Sequence, residues 1–245
     1  MTQTQKALAT KDQHLPVPKE LTNTAWGSEG VDTSDVKIPA ILLMQGLSQF
    51  VIDRKATIGD LVHSQTEKVI GGPDTPVHFI PIMTFKTNEY MEKEPGSEKF
   101  KRKKSEPWEA HHKTIEPYGT TIDGVHFRND PTLNFYVFLQ NEIEKEGALP
   151  CLLKCKRTNL TAGKNLVTHF KQCEMKKIPP ASTIYALTST TQKNDLGTFS
   201  VLVVTPAGDT KPAHLPKLYE WYKLITSGDT KVVSGTEEDE EKVPF

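Results

Sequence analysis

The chain has 245 residues, 36% of them hydrophobic and 25% charged, with a formal net charge of -1. That length supports a sizeable core as one large domain or two small ones, and the modest apolar share points to a folded body carrying polar arms. Three cysteines, an odd number, argue against a disulfide scaffold, and the absence of any long apolar run argues against a membrane span, so a reduced, cytoplasmic protein is expected.

The near-neutral total conceals an asymmetry. Residues 237–242 carry five acids and one lysine, which leaves 29 Lys and Arg against 26 Asp and Glu elsewhere, a net of +3. A mildly basic body permits a nucleic-acid partner without requiring one, so local clustering has to decide.

Residues 1–36 are polar, rich in Thr, Lys and Asp, and without either structural period, which reads as a flexible N-terminal arm. The folded domain is expected over 37–226. It opens with the apolar stretch Ile41-Leu42-Leu43-Met44, then Ile58 to Gly72 reads as a small strand-turn-strand element. Val77 to Lys86 is strand-like. Residues 91–116 form a charged insertion holding Lys101, Arg102, Lys103, Lys104 and Trp108, and Pro117 to Asn129 reads as a hairpin turning at Asp123-Gly124. Leu133 to Leu139 and Cys151 to Arg157 are two further strands. Thr161 to Met175 spaces Leu166, Val167, Phe170 and Cys173 along one helix face and is closed by Pro179-Pro180. Two more strands follow, Thr183 to Thr190 and Thr198 to Thr205, with Lys193 in the turn between them. Leu218, Trp221, Tyr222 and Ile225 then share one side of a short helix.

From Val77 the order is strand, strand, strand, helix, strand, strand. An OB-fold places its one internal helix between the third and fourth strands, so the fold class expected is mainly β, an OB-fold-like barrel with one internal helix, a C-terminal helix, long insertions and a disordered acidic tail.

Strand parity suggests a binding face. Leu133, Phe135, Val137 and Leu139 share one side, and Asn134, Tyr136, Phe138 and Gln140 the other; in the next strand Cys151, Leu153 and Cys155 oppose Leu152, Lys154 and Lys156. Aromatic rings beside lysines suit an unpaired polynucleotide, whose bases stack while its phosphates trail alongside. Tyr136, Phe138 and Trp108 are the stacking candidates, and Lys154, Lys156, Arg157, Lys193, Lys86, Lys101, Arg102, Lys103 and Lys104 the phosphate candidates.

The chain ends Glu237-Glu238-Asp239-Glu240-Glu241-Lys242-Val243-Pro244-Phe245. Such an acidic run cannot be buried, because each carboxylate would have to be desolvated, so residues 227–245 read as a solvated tail whose apolar tip can dock on a partner. That ending resembles the tails of single-stranded DNA-binding proteins of bacteria and their phages, although Glu mostly replaces Asp here and Lys242 interrupts the acids. Lys37 to Gly72, the run Lys156-Arg157-Thr158 through Ala162-Gly163-Lys164-Asn165, and Lys193-Asn194-Asp195-Leu196-Gly197 are similar to phage-encoded members of that class. The resemblance implies binding of single-stranded DNA without sequence preference, in replication, recombination or repair. It also implies recruitment of replication and recombination proteins through Glu237, Glu238, Asp239, Glu240, Glu241, Val243, Pro244 and Phe245. No cofactor or metal is implied, and the location would be the host cytoplasm.

Other readings compete. Cys151, Cys155, His169 and Cys173 could supply a zinc tetrad, but residues four apart in a strand lie about 13 Å apart. His111, His112 and Glu109, or His126 with Asp130, would be the start of a metal-dependent nuclease, yet no spacing fixes a metal and no phosphate loop or nucleophile elbow is present. A passive strand-annealing mediator would share the groove. The expectation is therefore a binding protein and not an enzyme.

Overall fold

The computed structural model describes residues 38–93, 100–107, 120–122, 125–145, 147–195 and 197–227, with the strand backbone alone over most of 89–130. The expected N-terminal arm, Trp108 and the acidic tail from residue 228 onward lie outside the described residues.

Among the described residues, ten strands form one sheet: β1 (Ala40–Leu43), β2 (Leu61–His63), β3 (Lys68–Gly71), β4 (Val77–Lys93), β5 (Phe100–Pro107), β6 (Thr120–Ile122), β7 (Val125–Leu139), β8 (Cys151–Lys156), β9 (Thr183–Asn194) and β10 (Gly197–Asp209). Eight run in the order β10-β9-β4-β7-β8-β1-β2-β3 and curl into a half-barrel, while β5 pairs with β4 and β6 with β7. The α-helices among the described residues are α1 (Gln49–Ile52), α2 (Leu160–Met175) and α3 (Leu215–Thr226).

The OB-like order is present. β4, β7 and β8 form an antiparallel meander, α2 follows the third of these strands, and the β9–β10 hairpin returns beside β4. The alternation of β7 and β8 explains the interior: Phe135, Val137, Leu139, Cys151, Leu153 and Cys155 all face a core shared with Phe79, Tyr185 and Leu187. α2 plugs this core with Leu166 and Phe170, as its apolar spacing predicts. It stops where Lys177 adopts a left-handed φ of 57°, ahead of Pro179.

The barrel is not closed by a ladder between β8 and β10. Instead β1 pairs in parallel with β8, and the chain just after β1 reaches across to β10. Gln45 Nε2 donates to the Ser200 carbonyl at 2.8 Å while the Ser200 N–H donates to Gln45 Oε1 at 3.0 Å, the reciprocal pair a neighbouring strand would make. Asn159, at the N-cap of α2, repeats the device by accepting from the Leu202 N–H at 2.8 Å.

Two expectations about the middle of the chain need correction. The insertion 91–116 is partly strand: β4 runs on to Lys93 and pairs with β5, which carries Lys101, Arg102, Lys103 and Lys104. Together β5, β4, β7 and β6 make a four-stranded ribbon extending from the barrel. Lys193 lies not in a turn but within β9, opposite Thr198 near the hairpin tip.

Candidate nucleic-acid interface

The outer face of β7 and β8 carries the side chains that the core does not take. Register sets Tyr136 opposite Leu152, Asn134 opposite Lys154 and Thr132 opposite Lys156, so both expected lysines of β8 do share one face with the expected rings. The rings themselves are not accessible. Tyr136 is 6% exposed and Phe138 0%, which corrects their assignment as stacking surfaces. Tyr136 stacks on Phe85 with centroids 5.2 Å apart, and burial pushes its hydroxyl pKa up to about 12. Phe138 lies edge-on to Trp221 at 6.0 Å, with the Lys217 ammonium 5.8 Å from its centroid.

The cover over these rings is α3. Leu218 and Trp221 pack with Ile80, Phe138 and Ile143, and Ile225 packs with Ile38, Ala40, Tyr136 and Leu152. The helix is fastened at its N-terminal side, where Lys217 Nζ donates to the carbonyls of Ile143 at 2.7 Å and Lys145 at 3.1 Å. Just before it, Lys211 and His214 both lie 3.0 Å from one oxygen of Glu144, and these contacts hold that carboxyl below its usual pKa.

Magnitudes decide whether α3 could lift to admit bases. Each buried Leu, Ile, Phe or Trp side chain contributes roughly 1.5–3 kcal/mol, so re-exposing four or more costs at least about 6 kcal/mol. Stacking two bases would return roughly 2–6 kcal/mol. The helix therefore stays, and it belongs to the structural core.

What remains open on this face is its polar end. Lys154 and Lys156 are half-buried, and neither is without a partner in the structure, so a phosphate would take them over by exchange. The amide of Asn134 is already committed, donating to Thr87 Oγ1 at 2.9 Å.

The other expected phosphate ligands are dispersed. Lys86 is exposed but pairs in register with Leu133, a core-side residue, so it lies on the opposite sheet face from Lys154 and Lys156. Arg157 is half-buried just past β8 with a left-handed φ of 50°, a conformation unfavourable for a side chain with a Cβ. Lys193 is exposed at the far hairpin. Lys101 to Lys104 lie along β5 of the ribbon, whose side-chain directions are outside the described residues.

The zinc tetrad is not assembled. Cys151 and Cys155 both face the core, where burial raises their thiols to about 12, and no group of three or more His, Cys, Asp or Glu among the described residues converges on a point. His169 Nδ1 is instead 2.5 Å from the Tyr185 hydroxyl and 3.7 Å from Cys173 Sγ. Beside them is a cavity of about 250 Å³, lined by Asn165, Thr168 and Gln172 of α2 and by Val204 and Pro206 of β10. Of the nuclease candidates, Glu109, His111 and His112 lie outside the described residues, as do the side chains of His126 and Asp130.

Sequence reasoning also missed a pair of rings. Tyr222 was expected on the buried side of the last helix, but it is 43% exposed, and Tyr219 one turn earlier is 60% exposed. The 3.6-residue spacing gives the signal for Tyr219, which falls outside the stripe of Leu218, Trp221 and Ile225.

Residues 9–231 match a family model described as Pam3 phage gp34-like protein. The chain belongs to that family. The match spans the whole barrel and α3, so the fold described above is that of a phage protein family. No curated protein and no solved structure matches the chain. No helix among the described residues is long and apolar enough to cross a membrane.

Proposed function

We propose that the protein binds single-stranded DNA without sequence preference, along the polar end of the outer β7–β8 face. The observation that carries this reading is positional. In an OB-like strand order, Lys154 and Lys156 stand side by side on the outward face of the third strand, beside the second, where OB-folds bind oligonucleotides. The connection after the first strand, which also borders the ligand in such folds, has grown into the ribbon whose strand β5 reads Phe-Lys-Arg-Lys-Lys. Phosphates are bound by the lysines and the strand backbone is gripped without reading bases, so sequence preference is not expected. The acidic tail ending in Val243, Pro244 and Phe245 would then be a partner-recruiting element that also competes with phosphates.

The test is a titration of fluorescently labelled oligo-dT, followed by anisotropy across a salt series, with duplex and RNA of equal length alongside. Wild-type protein should favour oligo-dT over duplex. Lys154→Ala/Lys156→Ala should weaken binding and flatten the plot of log affinity against log salt by about 1.4, two phosphates' worth of counterions. An unchanged slope would remove the β8 face from the interface, and no affinity for oligo-dT would end the reading altogether.

A further inference from the structure

The two aromatic side chains that are exposed among the described residues, Tyr219 and Tyr222, sit together on the outer surface of α3. Their rings are 6.3 Å apart and close to parallel, with 16° between planes, and the Lys223 ammonium lies 5.0 Å from the Tyr219 centroid. Neither ring belongs to the apolar clusters that seat α3. α3 is held by Leu218, Trp221 and Ile225 on its other side, so large apolar faces left in water here call for an occupant.

The placement of α3 identifies that occupant. Its C-terminal end rests on Leu152 through Ile225. Lys154 is two residues beyond Leu152 on the same strand face, about 6.6 Å by strand rise, and Tyr222 is three residues before Ile225, about 4.5 Å by helical rise. Lysines on β8 and the helix that carries the rings thus border the same outer face of β7 and β8. A ligand leaving the lysines for α3 meets two exposed, mutually stacked tyrosine rings with an ammonium over one of them. Unpaired bases carrying a phosphate chain match that sequence of chemistries.

We infer that Tyr219 and Tyr222, with Lys223, form the base-stacking platform of this protein, and that α3 has taken over on the outside the role its own packing denies to Tyr136 and Phe138. This rests on the single-strand reading above and deepens it. The rings hold two successive bases, while Lys223 turns from the Tyr219 face to a phosphate.

The experiment uses full-length protein and labelled oligo-dT. Both tyrosines are surface residues, so Tyr219→Ala/Tyr222→Ala should keep the wild-type circular dichroism and thermal midpoint. It should lose about tenfold or more in affinity with the salt slope unchanged, because stacking releases no counterions. Tyr219→Phe/Tyr222→Phe keeps the rings and should bind within about twofold of wild type. If the alanine variant binds like wild type while Lys154→Ala/Lys156→Ala is weakened, the strand site survives and the platform is wrong. If wild type itself ignores oligo-dT, both fall. If sedimentation shows that the alanine variant converts a dimer to a monomer with oligo-dT affinity intact, the rings belong to an interface with a second copy, which also overturns the inference.

Discussion

Gly163 shows how tightly α2 is seated on the sheet. A Cβ at that position would come 2.7 Å from Cys155 Cβ and 3.3 Å from Leu133 Cβ, on strands β8 and β7. Those atoms are the rigid bases of their side chains and cannot swing away. Alanine is the better helix former by about 1 kcal/mol, yet forcing atoms into a packed contact costs about 1–3 kcal/mol, so the clash wins. Gly163→Ala should therefore lower the urea midpoint even though propensity alone predicts a gain. A midpoint equal to or above wild type would mean that α2 can slide on the barrel. The expected helix from Thr161 to Met175 already contained this glycine, and only the closeness of helix to strand shows why a glycine stands there. The rings of Tyr136 and Phe138 carry the same lesson. Period-two alternation placed them correctly on the face away from the core of Phe135 and Val137, but parity says nothing about what lies on top of a face.

Among the elements, the strands and α2 were legible because their periods are strong, whereas boundaries and the edge of β10 were not. β4 runs seven residues past its expected end, from Lys86 to Lys93, since its charged continuation shows no alternation of its own and is held by ladders to β5 and β7. The edge of β10 is hidden for another reason: its partners are single side chains, Gln45 and Asn159, that come from 155 and 43 residues away in sequence. Gln45 satisfies both the N–H and the carbonyl of the buried Ser200. Truncating it leaves one donor and one acceptor of a partly buried backbone unpaired, a loss of about 1–3 kcal/mol. Gln45→Ala should lower stability by that amount in chemical denaturation and speed hydrogen exchange at the Ser200 amide. Wild-type stability with a still-protected Ser200 amide would show that water or a shifted β1 replaces the side chain at no cost. Gln45→Glu should also destabilise, because a carboxylate can accept from the Ser200 N–H but faces the Ser200 carbonyl with no donor.

For the whole molecule, the order of strands and the internal helix could be read from the chain, while the second apolar layer could not. An amphipathic helix announces that one side will be buried, not against which surface, and α3 covers the outer face on which strand parity sets Tyr136 and Phe138. That assignment separates two truncations. Ending the chain at Ser227 removes the acids Glu237 to Glu241 and Phe245 but leaves α3 intact. Its thermal midpoint should match the full chain, and under the proposed competition of carboxylate tail and phosphate chain for the same lysines it should bind oligo-dT more tightly at low salt, with the advantage fading as salt rises because both are screened. Ending the chain before Leu215 strips the cover from Ile80, Tyr136, Phe138 and Leu152 and forfeits at least about 6 kcal/mol of apolar burial, comparable to the whole stability of a domain. That shorter form should aggregate or lose its cooperative transition. If it instead folds with an unchanged midpoint and binds oligo-dT more tightly than the form ending at Ser227, then α3 is a detachable lid, and the rings of β7 are the stacking surface after all. If the form ending at Ser227 binds no more tightly than the full chain at low salt, the tail does not compete for the groove, and its acids act on partners alone.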